Sequence, residues 1–249
     1  MGEKDIVKQH NEVVQSGGRM TTYYKVTDHE DHAGYEPQWG EGITHKTDGE
    51  GELGSKHWII AYEHPLLAMF HNPIHGHYDG LWHGHLWECT SDDAEPIREG
   101  QMRVGVRSLT TVKQLELPEF PLGQRVYYGI LCALAVYNEE GFVVWAQKWL
   151  SGEDRSAGAA RAAKEAIVGA VWDDMTVAMA AKYAAFAAEA SKACVWSETE
   201  EFVSYAAACA TKHKGDMDLL LMIKKAIRLH KKAKETGTAT NGLLDVLKL

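Results

Sequence analysis

Cysteine is scarce in this sequence and unpatterned. Its four residues, Cys89, Cys132, Cys194 and Cys209, stand far apart with no C-x-x-C pair. That excludes a thiolate zinc site and a disulfide-dense fold, and suits free thiols in a reducing cytosol. Positive charge is short as well: 26 Lys and Arg face 35 Asp and Glu, a formal net charge of −9. A surface of that sign does not coat nucleic acid or anionic lipid, so general nucleic-acid binding is not expected. Long apolar runs are missing, each being interrupted by charge within a few residues, and MGEKDIVKQHNEVVQSGGRM carries no signal-peptide core. Neither export nor a membrane span is expected, which leaves the cytoplasm. Nucleophile motifs are absent too: there is no G-x-S-x-G, and Gly49, Gly51 and Gly54 follow neither the G-x-G-x-x-G nor the Walker spacing, so this glycine-rich stretch reads as a loop.

What is present is ordinary globular material, 45% apolar and 24% charged, arranged in two dissimilar parts. The Ser16-Gly17-Gly18 break sets off residues 1–19 as a loosely attached leader. TTYYKV (residues 21–26) is a β-branched and aromatic strand closed by DHEDHAG. Gly34, Gly40, Gly42, Gly49, Gly51 and Gly54 favour turns. WIIAY is a short buried strand or helix start, Pro65 suits the first turn of a helix over HPLLAMF, and MRVGVRSLTTVKQLEL (residues 102–117) supplies the closing strands. Beyond Pro118 and Pro121 the period becomes helical in GQRVYYGILCALAVY and EGFVVWAQKWL. Asp154 is the expected cap of a long Ala-rich stretch, one helix or two broken near Trp172-Asp173-Asp174. Ser197 or Thr199 is the expected cap of the next helix, Asp216 of the one after, and LLDVLKL forms a short terminal helix. The expected fold is therefore α+β: a small mixed β-sheet domain over residues 20–120, then an Ala-rich helical domain over 121–249. Small residues bring helix backbones close, within the fold or at a homo-oligomer interface, and internal packing is the preferred role.

Histidine is the conspicuous excess. Ten of the thirteen lie between His29 and His85, and five fall between His71 and His85. In a strand, His-x-His puts two imidazoles on one face, a usable pair of metal ligands. A two-residue turn at Asp79-Gly80 sends the pairs His75/His77 and His83/His85 to opposite faces. A three-residue loop with Gly80 in the left-handed position instead gathers all four on one face and leaves Ile74, Trp82 and Leu86 on the other. The second register gives the amphipathic hairpin and is preferred, and its four histidines could hold zinc (Zn) or another divalent transition metal. The blander reading makes these exposed histidines on a polar face. Arg103, Arg107, Lys113 and Arg125 would together suit an anion, Arg103 and Arg107 sharing a face of a regular strand, unless they simply pair with neighbouring carboxylates. The adjacent carboxylate pairs Asp173/Asp174 and Glu200/Glu201 read as solvated surface. Trp39, Trp58, Trp82 and Trp87 read as core before pocket lining.

Several segments, TTYYKVTD, QWGEGITH, WIIAYEHPLLAMFHNPIH, LWE, VGVRSLTTVKQLELP, QRVYYGILCALAVY and WAQKWLSGEDRS, together resemble a family of uncharacterised bacteriophage and actinobacterial proteins. The resemblance covers roughly residues 20–160. It implies the two-part division and a phage or prophage setting, and carries over no catalytic residue. His45 and His75 fall inside the similar segments, whereas His77, His83 and His85 fall in a local insertion between HNPIH and LWE. The expectation is a phage-type binding or interaction protein without catalytic activity. Its partner is a protein or a small-molecule ligand, and the ligand contacts are His45, His75, Arg107 and Tyr24. The alternatives are a nucleotide- or NAD-using transferase and a metal-binding protein working through His75, His77, His83 and His85.

Overall fold

A computed structural model describes residues 20–34, 36–72, 84–167 and 175–236. The chain runs through β1 (Thr21–Thr27), β2 (Thr44–Lys46), β3 (Ile59–Ala61), α1 (Pro65–His71), β4 (His85–Ser91), β5 (Ile97–Glu99), β6 (Arg103–Val106) and β7 (Ser108–Leu115). Among the described residues six helices follow: α2 (Leu122–Leu134), α3 (Glu140–Ser151), α4 (Ala157–Ile167), α5 (Met175–Lys192), α6 (Trp196–His213) and α7 (Leu219–Thr236). Strands first and helices after make the architecture α+β. The leader, the Asp79-Gly80 turn with His75, His77 and His83, the break near Trp172-Asp173-Asp174 and the terminal LLDVLKL lie outside the described residues.

The strands form two antiparallel sheets, ordered β1-β4-β7-β2 and β3-β6-β5. Along β1, Tyr23, Lys25 and Thr27 point to one face and Tyr24 and Val26 to the other, and all five are buried. A strand covered on both faces needs no apolar-polar alternation, which is why TTYYKVT shows none. One face meets the second sheet in a compact core of Tyr23, Trp39, Ile59, Ala61, Trp87, Cys89, Val104, Val106 and Leu109. The other meets the helices in a larger core that joins Tyr24, Val26, Leu86 and the whole apolar side of α1 to α2, α5, α6 and α7. The closing stretch 102–117 is not one strand. It breaks at Arg107, β6 belonging to the second sheet and β7 to the first, so Arg103 and Arg107 do not share a strand face.

Helix α1 is only seven residues long and every one is buried. Pro65 occupies its first turn, where a missing N–H costs nothing, and His64 caps it, Nδ1 accepting the Leu66 N–H at 3.0 Å. Helix α2 starts directly after Pro121 and is buried without interruption from Gln124 to Ala133, as befits a helix enclosed by others. Around it, Ala180, Ala181, Ala184, Ala185, Ala187 and Ala188 of α5 and Ala206, Ala207 and Ala210 of α6 are all fully buried. Alanine makes up this packing surface because a methyl group lets helix axes approach closely with little side-chain entropy to lose.

Three helix starts differ from expectation by two residues or so. Ser156, not Asp154, caps α4, its Oγ accepting the Ala159 N–H at 3.1 Å while Asp154 accepts the Ser156 N–H at 2.9 Å. Helix α6 begins at Trp196 after Val195, so Ser197 and Thr199 lie inside it, and the Thr199 hydroxyl donates back to the Val195 carbonyl at 2.7 Å. Asp218 rather than Asp216 caps α7, accepting the Leu221 N–H at 2.8 Å. In α4 and α7 the polar residue nearest the apolar stripe takes the cap, because the stripe fixes where the helix docks, whereas α6 starts on Val195 with no side-chain cap. No helix among the described residues is long and apolar enough to cross a membrane.

Candidate binding site at the Asp31–His85 pair

The loop between β1 and β2 folds back over the first sheet, and local hydrogen bonds shape it. Asp28 Oδ1 accepts from the N–H groups of Glu30 and His32 at 2.9 and 2.8 Å, and the Asp28 N–H donates to the His32 carbonyl at 2.8 Å. This closes a tight turn of the kind a short acidic side chain favours. Within it Asp31 takes a φ of +64°, a left-handed conformation that non-glycine residues seldom hold. Its carbonyl accepts the Trp39 N–H at 2.7 Å, so the loop is anchored on both sides of the strained residue.

That conformation delivers the Asp31 carboxylate to the end of β4. His85 opens β4 opposite Thr27 and places Nδ1 2.6 Å from Asp31 Oδ1. The same oxygen accepts from the Thr27 hydroxyl at 3.2 Å, and the Thr27 hydroxyl accepts from the Trp87 indole N–H at 3.1 Å. The indole can only donate, so Thr27 must pass its own proton towards Asp31, and the carboxylate then accepts from His85 as well. In the neutral imidazole the proton therefore sits on Nδ1, and Nε2, on the far edge of the ring, carries a lone pair. The His85 side chain is 29% exposed and that of Asp31 23%, so the relay runs from a buried indole to the surface.

Beside the relay lies a second polar group. Lys25, 3% exposed, reaches Glu36 Oε2 at 2.7 Å and the Ile60 carbonyl at 2.9 Å, and sits 5.0 Å from the centre of the Trp39 ring. The Trp39 indole donates to the same Glu36 oxygen at 2.8 Å. The His45 ring meets the Trp39 ring edge-on at 4.4 Å, with Nε2 3.0 Å from the Gln38 carbonyl. His45 and Lys25 thus pin the loop on the sheet.

The residues singled out as ligand contacts do not converge. Tyr24 points into the helical core and His45 lies over the other core against Trp39, while His75 is outside the described residues. Arg107 is held at the corner between the sheets by Asp93, which is 1% exposed and accepts both from its guanidinium and from its main-chain N–H, the latter at 2.7 Å. Those hydrogen bonds hold the Asp93 carboxyl down at about 2, against the desolvation that would raise it. The other cations of the supposed anion site are paired one by one: Arg103 with Glu99 at 2.6 Å, Lys113 with Glu88 at 3.5 Å and Arg125 with Glu200 at 3.0 Å. Among the described residues no group of three or more His, Cys, Asp or Glu is placed to hold a metal ion. Of the four proposed metal ligands, His85 alone is described, and it has a carboxylate partner.

Glu200, read as solvated surface, is instead buried with Arg125, which is itself fully buried. Arg125 Nη1 donates to the Met69 carbonyl at 2.8 Å, the Ser204 hydroxyl to the Phe70 carbonyl at 2.8 Å, and the Tyr128 hydroxyl lies 2.8 Å from His71 Nε2. The last carbonyls of α1 would otherwise go unsatisfied, and α2 and α6 supply their donors. Burial pushes Glu200 up while Arg125 draws it down, and burial drives Tyr128 well above its ordinary value. Burial also pushes the Cys89 and Cys132 thiols up to about 12, so neither supplies a thiolate.

Sequence reasoning found His85 through its His-x-His spacing and missed Asp31, Thr27 and Lys25. The one available signal was DHEDH, two acid-histidine pairs within a single turn. No family model, no curated protein and no solved structure matches the chain.

Proposed function

We propose that the chain is a binding protein of bacteriophage type without catalytic activity, that its β-rich part presents the ligand contact at His85, and that the helices brace that part from behind. The observation that carries this reading is the Asp31–His85 pair: a carboxylate at 2.6 Å fixes the ring and its tautomer, and leaves Nε2 as an acceptor on a side chain that is partly exposed. A side chain locked this way loses little entropy on contact, which favours recognition of a donor group on a ligand. The phage setting rests on the segment resemblance alone. Native mass spectrometry of untagged protein is the test: a small-molecule or peptide adduct is expected, lost in His85→Ala and retained in Arg107→Ala. An adduct indifferent to His85, or turnover of a bound nucleotide, would sink the reading.

One specific observation favours a second reading, a zinc or other divalent metal site. Metal-bound imidazoles characteristically donate their other N–H to a carboxylate, as His85 does to Asp31. His75, His77 and His83 would be the remaining ligands. Elemental analysis of protein purified without a metal-affinity step decides it. Stoichiometric metal is expected, with Asp31→Asn weakening zinc binding about 10- to 100-fold, and metal below stoichiometry removes this reading while leaving the first intact.

A further inference from the structure

Helix α6 has two clearly different sides. Thr199, Glu200, Val203, Ser204, Ala206, Ala207 and Ala210 are buried, whereas Glu198, Glu201, Phe202, Tyr205, Ala208, Cys209 and Lys212 are partly or fully exposed. Along the outward side, positions 198, 202, 205, 209 and 212 alternate steps of four and three, the spacing of a helix seam that meets another helix. Aromatic rings widen this seam onto α5. Phe186 stacks on Phe202 with centroids 5.0 Å apart, Phe202 on Tyr183 at 6.1 Å and Tyr183 on Tyr205 at 5.2 Å. All four rings are half-buried, so their outer edges form a contiguous aromatic strip at the surface, a feature of the kind that marks partner contacts.

Charge says which partner. The seam is acidic at its start, with Glu198 and Glu201, and basic at its end, with Lys212. Among the described residues neither Glu198 nor Lys212 has an ion-pair partner. Tyr205 stands midway between them. A two-fold axis through Tyr205 therefore places Glu198 of one copy beside Lys212 of the other, twice over, and sets each Phe202 against the small Ala208 across the axis. Parallel packing would put Glu198 against Glu198 and is disfavoured. The pattern is self-complementary, as an isologous contact requires.

We propose that the outward seam of α6, flanked by the rings of α5, is the interface of an antiparallel homodimer centred on Tyr205. This surface is separate from His85, and neither proposal depends on the other. Sedimentation velocity on the full chain tests it. The wild type is expected to show a concentration-dependent monomer–dimer equilibrium. Glu198→Lys and Lys212→Glu are each expected to weaken it about tenfold or more, since two symmetric attractions become repulsions, and the double variant is expected to recover it. A merely local role of either residue within one chain would give no such recovery. On a background without Cys194 and Cys209, Tyr205→Cys is expected to cross-link covalently under mild oxidation, because the two copies of position 205 adjoin. Monomer at every concentration overturns the proposal, as does a dimer that ignores both charge changes, or a monomer that binds only a different protein through this face. Far-UV circular dichroism of each variant separates loss of association from loss of fold.

Discussion

Asp31 concentrates the residue-scale logic of the candidate site. Its backbone sits at a φ of +64°, where glycine is at ease and other residues are not. Asp31→Gly is expected to relieve that conformation while removing the carboxylate that fixes His85. Asp31→Asn, which tolerates the same backbone, is expected to lose the preference for the Nδ1-protonated tautomer, readable in the 15N shifts of the ring. Asp93 makes the corresponding case for stability. With its carboxyl held at about 2 against an ordinary 3.8, its contribution is complete above about pH 5 and drains away as pH falls towards 2. The window is worth about 2 kcal/mol. Thermal melts between pH 5 and pH 2.5 (roughly one unit either side of that ordinary carboxylate value) are expected to fall less steeply in Asp93→Asn than in the wild type, from a lower start. Little of this could be read from sequence. His85 announced itself by its spacing, but its partner lies 54 positions away in sequence, and nothing in DHEDH says which acid turns inward. Glu200 misled for a related reason: neighbours on a helix point about 100° apart, so one of an adjacent pair can be buried while the other is wet.

At the scale of elements, period and punctuation were legible and the caps were not. The β-branched and aromatic run gave β1, Pro65 gave the start of α1, and Pro121 gave the start of α2. The caps of α4 and α7 moved because DRS and DMD each offer two candidates, and docking of the apolar stripe chooses between them. Asp218→Ala is accordingly expected to destabilise the protein by about 1 kcal/mol in a urea melt, and Asp216→Ala to change it by less than about 0.5 kcal/mol. Gly49 shows the same dependence on context. It has a φ of +72°, and an added Cβ would lie 2.5 Å from Arg107 Cγ. Gly49→Ala is therefore expected to cost at least about 1 kcal/mol and to loosen the Arg107–Asp93 corner.

Across the whole molecule, the order of strands and helices was plain from the sequence, while the degree to which they share one interior was not. Tyr24, Val26 and Leu86 of the first sheet lie in the same core as α2, α5, α6 and α7, and Arg125 and Ser204 tie the end of α1 to the helices. Removing one member of the buried Arg125–Glu200 pair leaves a charge without its counter-ion, so Glu200→Ala is expected to cost about 3–5 kcal/mol. The joint substitution Arg125→Met with Glu200→Leu is expected to cost far less. In both, tryptophan fluorescence and helical circular dichroism are expected to report one coincident unfolding transition, because strands and helices share that core.

The bond from Ser204 to Phe70 joins positions 134 residues apart, and this sets a timetable. A ribosome adds about 5–20 residues per second, so α1 emerges and waits on the order of ten seconds before the Phe70 carbonyl meets its donor on α6. Through that interval α1 has only α2 to cover it, by way of Arg125 on Met69 and Tyr128 on Phe70. The apolar side of α1 is therefore the part of the β-rich half that is last to be enclosed, since its core neighbours on α6 and α7 are the last made.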